Sequence, residues 1–144
     1  FSHETSDLNW DQNHKGLFWS ESISDNRWTL KSGSNIRFMK NGRGLTKSFR
    51  NKELLYNPAS VNKHYISTIE YKNDGTSKVS ILNITTGKRL LSFSAPDSVQ
   101  FVETATIGND IYVTGISENG YGIYKTYINT YFLYLIIRLY HKRA

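Results

Sequence analysis

The sequence predicts an all-β fold, an incomplete β-propeller of about three antiparallel blades followed by a short C-terminal tail of uncertain structure. Three observations predict it. The stretch from Tyr65 to Phe93 reads as a meander of three strands joined by Asn73-Asp74-Gly75 and Thr85-Thr86-Gly87. Similar segments recur along the chain: Leu17-Phe18-Trp19-Ser20, Tyr65-Ile66-Ser67-Thr68 and Ile111-Tyr112-Val113-Thr114 start 48 and then 46 residues apart. Asn41-Gly42-Arg43-Gly44-Leu45 also matches Thr86-Gly87-Lys88-Arg89-Leu90, 45 residues on. A period of this length with several short strands per unit is a propeller signature, and an ordinary β-sandwich whose hairpins look alike by chance is the plainer alternative.

The first blade takes a strand near Leu8 to Trp10, a second from Leu17 to Ile23 and a loop from Ser24 to Gly33. Its third strand is Asn35 to Met39, and its fourth begins at Leu45. The second blade begins near Tyr56 to Val61, with Pro58 at a strand start, where a missing N–H is tolerated. It continues through Tyr65 to Tyr71, Lys78 to Asn83 and Leu90 to Phe93. Val79 and Ile81 share one face of its third strand, Ser80 and Leu82 the other. The third blade runs from Val102 to Ile107 and Asp110 to Ile116, turns at Glu118-Asn119-Gly120, and ends at Gly122 to Tyr127. The inward sides are expected to contain Phe18, Ile66, Ile81, Tyr112 and Val113 in some combination, and helix is expected to be nearly absent before Tyr127. The domain division is 1–126 for the partial propeller and 127–144 for the tail.

The chain has 144 residues, enough for one core. Its 14% aromatic content, with ten tyrosines, ten glycines and two prolines, favours a β-rich protein with tight turns. With no cysteine, disulfides and thiolate metal sites are excluded. The net charge of +6 permits an acidic partner without requiring one. Since the sequence opens on Phe1, a mature form or a piece of a longer protein is expected. Three blades are too few to close a ring of roughly four to eight. Two inter-blade faces would stay bare, so either a longer protein or pairing with another copy is implied.

The order PASVNKHYISTIEY, a DG turn, SKVSILN and TTGKRLLSF resembles the TolB-like propeller repeat. The first blade, DLNWDQNHKGLFWSE followed by RW and SNIRFM, is similar to exported TolB-like propellers of the Bacteroidetes type. The resemblance covers Asp7 to Lys125. It departs from the family at the Ser-Pro-Asp-Gly turn, where Trp10-Asp11-Gln12-Asn13 and Ser60-Val61-Asn62-Lys63 stand. It departs again at Asn83, where the family has Asp. The resemblance implies a periplasmic, outer-membrane-associated or secreted protein. Such propellers serve as interaction modules, or gate substrate access in exported serine peptidases.

No nucleophile elbow, no HExxH and no phosphate-binding glycine loop is present, so no catalytic residue, metal or cofactor is assigned. His14 and His64 fall at equivalent turns. A shared metal or acid–base pair is the functional reading and two solvated histidines the plainer, preferred one. Asp74 belongs to a hairpin turn, because the other oxygen ligands of a calcium loop are missing. Asn83-Ile84-Thr85 fits a glycosylation sequon.

The strongest electrostatic feature is the window from Asn26 to Lys52. It contains Arg27, Lys31, Arg37, Lys40, Arg43, Lys47, Arg50 and Lys52, and no acid. An acidic segment with Asp97, Glu103, Asp110 and Glu118 has no Lys or Arg from Leu90 to Tyr124, and the two could face each other between blades or subunits. Arg27, Trp28, Arg37, Arg43 and Lys47 form the candidate ligand or partner surface. The plainer reading is a blade edge guarded against pairing, which suits Arg37 between Ile36 and Phe38. Trp10 and Trp19 are expected to pack between blades, and Trp28, beside Arg27 in the long loop, is the best candidate for exposure, with packing over the blade face preferred to a ligand role.

The tail TYFLYLIIRLYHKRA, from Thr130, is too short to span a bilayer, which takes about 20 apolar residues. A buried strand and a surface helix are both open for it. The expected function is a non-catalytic binding module of a larger exported or envelope protein. The alternative is the gating propeller of a serine peptidase whose catalytic domain lies elsewhere. A protein or glycan partner and self-association through open blade faces fit this reading; nucleic acid fits it poorly.

Overall fold

The structure is a computed structural model that describes residues 2–5, 8–24, 32–40, 44–72, 74–129 and 134–142. For residues 2–5, 22–24, 32, 44–47, 129 and 134–142 only the backbone is described. None of the described residues lies in a helix. The strands form three antiparallel sheets in chain order. The first contains β1 (Ser2–Thr5), β2 (Asn9–Asp11), β3 (Gly16–Ser24), β4 (Ser32–Lys40) and β5 (Gly44–Asn51). The second contains β6 (Leu55–Val61), β7 (Tyr65–Tyr71), β8 (Ser77–Asn83) and β9 (Arg89–Ser94). The third contains β10 (Gln100–Ile107), β11 (Asp110–Ser117), β12 (Gly120–Asn129) and β13 (Tyr134–Lys142).

Each sheet is the same up-and-down meander, and each first strand is interrupted. In the first sheet β1 and β2 pair successive parts of β3, as two halves of one broken strand. In β6 the register jumps between Tyr56 and Ala59, and in β10 between Phe101 and Glu103. Pro58 therefore sits inside a strand rather than at its start. It lies in the bulge, beside Asn57 at φ 52°, where no ladder donor is needed. Of the two structures open to the tail, the strand is observed: β13 pairs along β12 from Asn129↔Tyr134 to Gly122↔Lys142.

Turn chemistry follows the sequence. Gly75 has φ +86°, and the Asp74 carboxylate accepts from the Thr76 hydroxyl at 2.6 Å and its backbone N–H at 2.9 Å. Those bonds hold the Asp74 carboxyl below its ordinary range. Asn83 shapes the turn that follows β8. Its Oδ1 accepts from the N–H of Thr85 at 2.7 Å and of Thr86 at 3.0 Å.

The second sheet lies between the other two, and its inner strands β7 and β8 are buried on both faces. Residues 66–70 of β7 and 79–82 of β8 are all buried. Ile66 and Leu82 turn to the first sheet and join Phe18, Ile36, Phe38, Leu55 and Ile84. Ile69, Val79 and Ile81 turn to the third sheet and join Val61, Phe101, Ile111, Val113 and Ile128. Strands of the outer sheets alternate instead, with one buried and one more accessible face. Each fully buried side chain of this kind contributes about 1.5–3 kcal/mol.

The first strands line up beside one another and carry hydrogen bonds between sheets. Asn9 Nδ2 donates to Pro58 O at 3.2 Å, and Asn13 Nδ2 to Ser60 Oγ at 2.9 Å. Asn57 Nδ2 donates to Val102 O at 3.1 Å, Thr104 Oγ1 to Asn57 O at 3.2 Å, and Thr106 Oγ1 to Ser60 O at 2.7 Å. The Asn62 N–H donates to Gly108 O at 3.0 Å, and its side chain to Asn109 Oδ1 at 2.6 Å. All these pairs lie 45 to 49 residues apart, close to the period read from sequence.

The repeat register is corrected at one point. Of the five residues from which the inward sides are expected to draw, Phe18, Ile66, Ile81 and Val113 are buried, and Tyr112 is half-buried on the outer face of the third sheet, so Tyr65 and Ile111, aligned by the motif, do not face alike. The cause is turn length. Three residues separate the pair Val61↔Tyr65, whereas two separate Ile107↔Asp110. A one-residue difference flips every following side chain. Ile66, not Tyr65, therefore matches Ile111 in facing the preceding sheet.

Gly87 has φ +74°, and a Cβ there would lie 2.6 Å from the Phe49 side chain. Gly75, at φ +86°, would meet nothing within 4 Å. Gly75→Ala is expected to cost about 1–2 kcal/mol, from backbone strain alone. Gly87→Ala should cost more, and Phe49→Ala in the same chain should recover part of the excess. Urea unfolding of the two single variants and the double variant checks this.

Candidate functional site

Of the five residues proposed from sequence, Arg37 is fully described. It lies on β4, which is an internal strand and not an edge. Its side chain points away from the second sheet, with Nε 2.8 Å from Glu21 Oε2 and Nη1 3.1 Å from Ser48 Oγ. Glu21 also accepts from Trp19 Nε1 at 3.2 Å. Arg37 is thus ion-paired with a neighbouring strand. Lys47 lies on the edge strand β5, with its side chain outside the described residues. Arg27, Trp28 and Arg43 also lie outside the described residues.

Two tryptophan expectations are corrected. Trp10 is 54% exposed, and its Nε1 donates to Gln12 at 3.1 Å. Trp19 is half-buried on the outer face. Period-two alternation is the reason: Phe18 fills the seam with the second sheet, so its neighbour must point the other way.

The histidines differ from each other. His64 is exposed on its turn. His14 is not simply solvated: its Nδ1 lies 2.6 Å from Asp11 Oδ2, and its ring stands edge-on to Phe18 and Phe38. Asp11 accepts the His14 N–H at 2.8 Å and bonds Ser60 Oγ of the second sheet. This cluster fastens the two sheets. Among the described residues no group of three potential metal ligands comes together.

The structure does assemble a charged seam that sequence reading missed. On the β7 face turned to the first sheet, Glu70 is only 2% exposed. Arg89 Nη1 reaches its two oxygens at 3.0 and 2.8 Å, Lys78 Nζ lies at 3.3 Å, and Ser80 Oγ donates at 2.9 Å. Burial alone would raise the Glu70 pKa. The Ser80 hydroxyl, then the charges of Arg89 and Lys78, outweigh burial and hold it below its ordinary value. The available signal was the single acid between Ile69 and Tyr71, which is out of place in an apolar strand unless paired.

Arg89 leads into a cleft of about 390 Å³ between the first and second sheets. Arg50, Asn51, Lys52 and Glu53 line one wall, and Thr86, Gly87, Lys88 and Arg89 the other. Both walls are fixed by hydrogen bonds. Ser34 Oγ donates to Glu53 O at 2.7 Å and accepts the Leu55 N–H at 3.2 Å. On the other side Gly87 N–H donates to Asn83 O at 2.7 Å, and Lys88 N–H to Thr86 Oγ1 at 3.2 Å. The end of the basic window thus meets two cations of the second sheet. A larger cleft of about 700 Å³ lies between the second and third sheets, and Lys72, Asp74, Asp97 and Ser98 help to line it.

Within the chain, Glu103 and Asp110 of the acidic segment lie on the third sheet and Arg37, Lys40 and Arg50 of the basic window on the first, on opposite sides of the second. Asp110 instead lies 3.8 Å from Lys125. Among the described residues no helix is long and apolar enough to cross a membrane. Compared with protein families and with curated proteins, the sequence matches none.

The linkage at Glu70 has a definite sign. A folded-state pKa held below the unfolded value adds stability above the unfolded value, and that stability is lost as pH falls through the folded one. Glu70→Gln should cost about 3 kcal/mol at neutral pH by leaving Lys78 and Arg89 without their buried partner. It should also flatten the acid limb of stability against pH, measured by urea unfolding from neutral pH downward.

Proposed function

We propose that this chain is a non-catalytic interaction module built from propeller-type blades, similar to TolB-like propellers of the cell envelope. The observation that carries the reading is the arrangement of three equivalent meanders, packed face to face with their first strands adjacent. A fold of this type extends by adding sheets and works through the surfaces that its sheets present. The outer face of the third sheet is such a surface. Ile107, Ile116 and Tyr121 are exposed on it at 71%, 39% and 62%. Tyr112 and Lys125 lie on the same face, with the ammonium 5.7 Å from the ring centroid. Exposed apolar and tyrosine side chains on one face mark a contact surface.

In the second sheet the corresponding face is covered by its neighbour. The third sheet's open face is read as engaging a protein partner, including another copy of the chain. Sedimentation velocity over a range of concentrations tests this. The wild-type chain should associate as concentration rises, and Ile116→Lys with Tyr121→Lys should abolish association without altering the far-ultraviolet circular dichroism. A wild-type chain that stays monomeric, or a double variant that associates equally, would contradict the assignment of this face.

A further inference from the structure

We propose that the cleft between the first and second sheets binds a small multivalent oxyanion, carrying phosphate or sulfate groups. The site is a local property of the seam and does not depend on the identity of any partner of the module. Four cations, Arg50, Lys52, Lys88 and Arg89, converge there with Glu53 as the only acid in the lining. Among the described residues Arg50, Lys52 and Lys88 take part in no ion pair. Like charges brought together across a seam repel one another, and a bound anion relieves that repulsion.

Arg89 is already oriented. Glu70 engages its Nη1, which leaves the other guanidinium donors for a ligand. Thr86 adds a hydroxyl at the rim, and the Phe49 ring packs under Gly87 so that the turn cannot retreat. Both walls are held by backbone bonds to Ser34 and Asn83, so the lysines project from fixed positions rather than from a free loop. A guanidinium fork with point-charge ammonium groups suits tetrahedral oxyanions. The cleft is shallow and open, and its volume of about 390 Å³ has room for a small oxyanion.

The test uses the whole chain with inorganic pyrophosphate as the first probe and inorganic sulfate as the second. Calorimetric titration should give one saturable site. Amide shift changes should concentrate at residues 50–53 and 86–89. Lys52→Gln with Lys88→Gln should weaken pyrophosphate by about tenfold or more. Lys63→Gln, on an exposed turn outside the cleft, should leave it unchanged. Sulfate binding with the same shift pattern would extend the site to sulfate esters, and pyrophosphate binding alone would restrict it to phosphates. Absence of saturable binding to both probes would overturn the proposal. So would shift changes spread over the surface, or equal losses in the Lys63 variant, which would mean diffuse charge attraction. The shift map is made on the wild-type chain, so the test stands even where the double variant folds poorly.

Discussion

Strands β7 and β8 of the second sheet give up solvent on both faces, and the rest of the molecule is arranged around that constraint. Ile69, Val79 and Ile81 leave water toward one neighbour, Ile66 and Leu82 toward the other. Polar atoms on the same strands must then be satisfied internally. Ser67 Oγ donates to Ala59 O at 3.4 Å, and Thr68 Oγ1 to Ser80 O at 3.3 Å. Ser77 Oγ accepts the Phe101 N–H of the next sheet at 2.8 Å. Glu70 is held by Ser80 and by two cations. Strands β7 and β8, covered on both faces, do not alternate, whereas β9 at the sheet edge and described strands of the outer sheets such as β11 do.

Small polar residues on the first strands make the seams specific. Apolar packing alone would let neighbouring sheets slide. Asp11, Ser60, Asn57 and Thr106 instead fix which residue meets which across the seam. These bonds join repeats at nearly constant sequence separation, so they act as the register of the repeat. The bulges in β6 and β10 and the break between β1 and β2 free backbone groups at the same seams. The Asn57 carbonyl, unable to pair across the β6 bulge, is met by Thr104. Polar side chains in an apolar seam contribute little net energy but penalise misregistered packing heavily.

Much of this was readable from the residues. Asp74-Gly75 and Thr85-Thr86-Gly87 placed turns correctly because φ > 0 and side-chain-to-backbone bonds are local demands. Strand limits around 77–94 came within a residue for the same reason. The aligned motifs match Tyr65 to Ile111, yet a turn one residue shorter inverts the faces that follow, and alignment does not reveal that. Trp10 and Trp19 were placed inside on size, while alternation sent Phe18 inward instead. Pro58 was read as a strand start because a bulge leaves no strong local mark. The cationic cleft was invisible because Lys52 and Lys88 are far apart in sequence and meet only when the sheets pack. Arg37 stood out in a charge count, yet its partner Glu21 sits on the adjacent strand, outside the window counted.

The seam thus unites structure and proposed chemistry. Glu70 belongs to the buried face of the second sheet and also orients Arg89 at the cleft, so fold stability and cleft charge are linked through one carboxylate. Everything rests on the second sheet being covered from both sides. Native-state hydrogen exchange tests that directly. Amides of residues 66–70 and 79–82 should exchange only through global unfolding, more slowly than paired amides of β5 and β10 on the outer sheets. Exchange of β7 and β8 as fast as those outer strands, by openings well below the global unfolding free energy, would contradict the account.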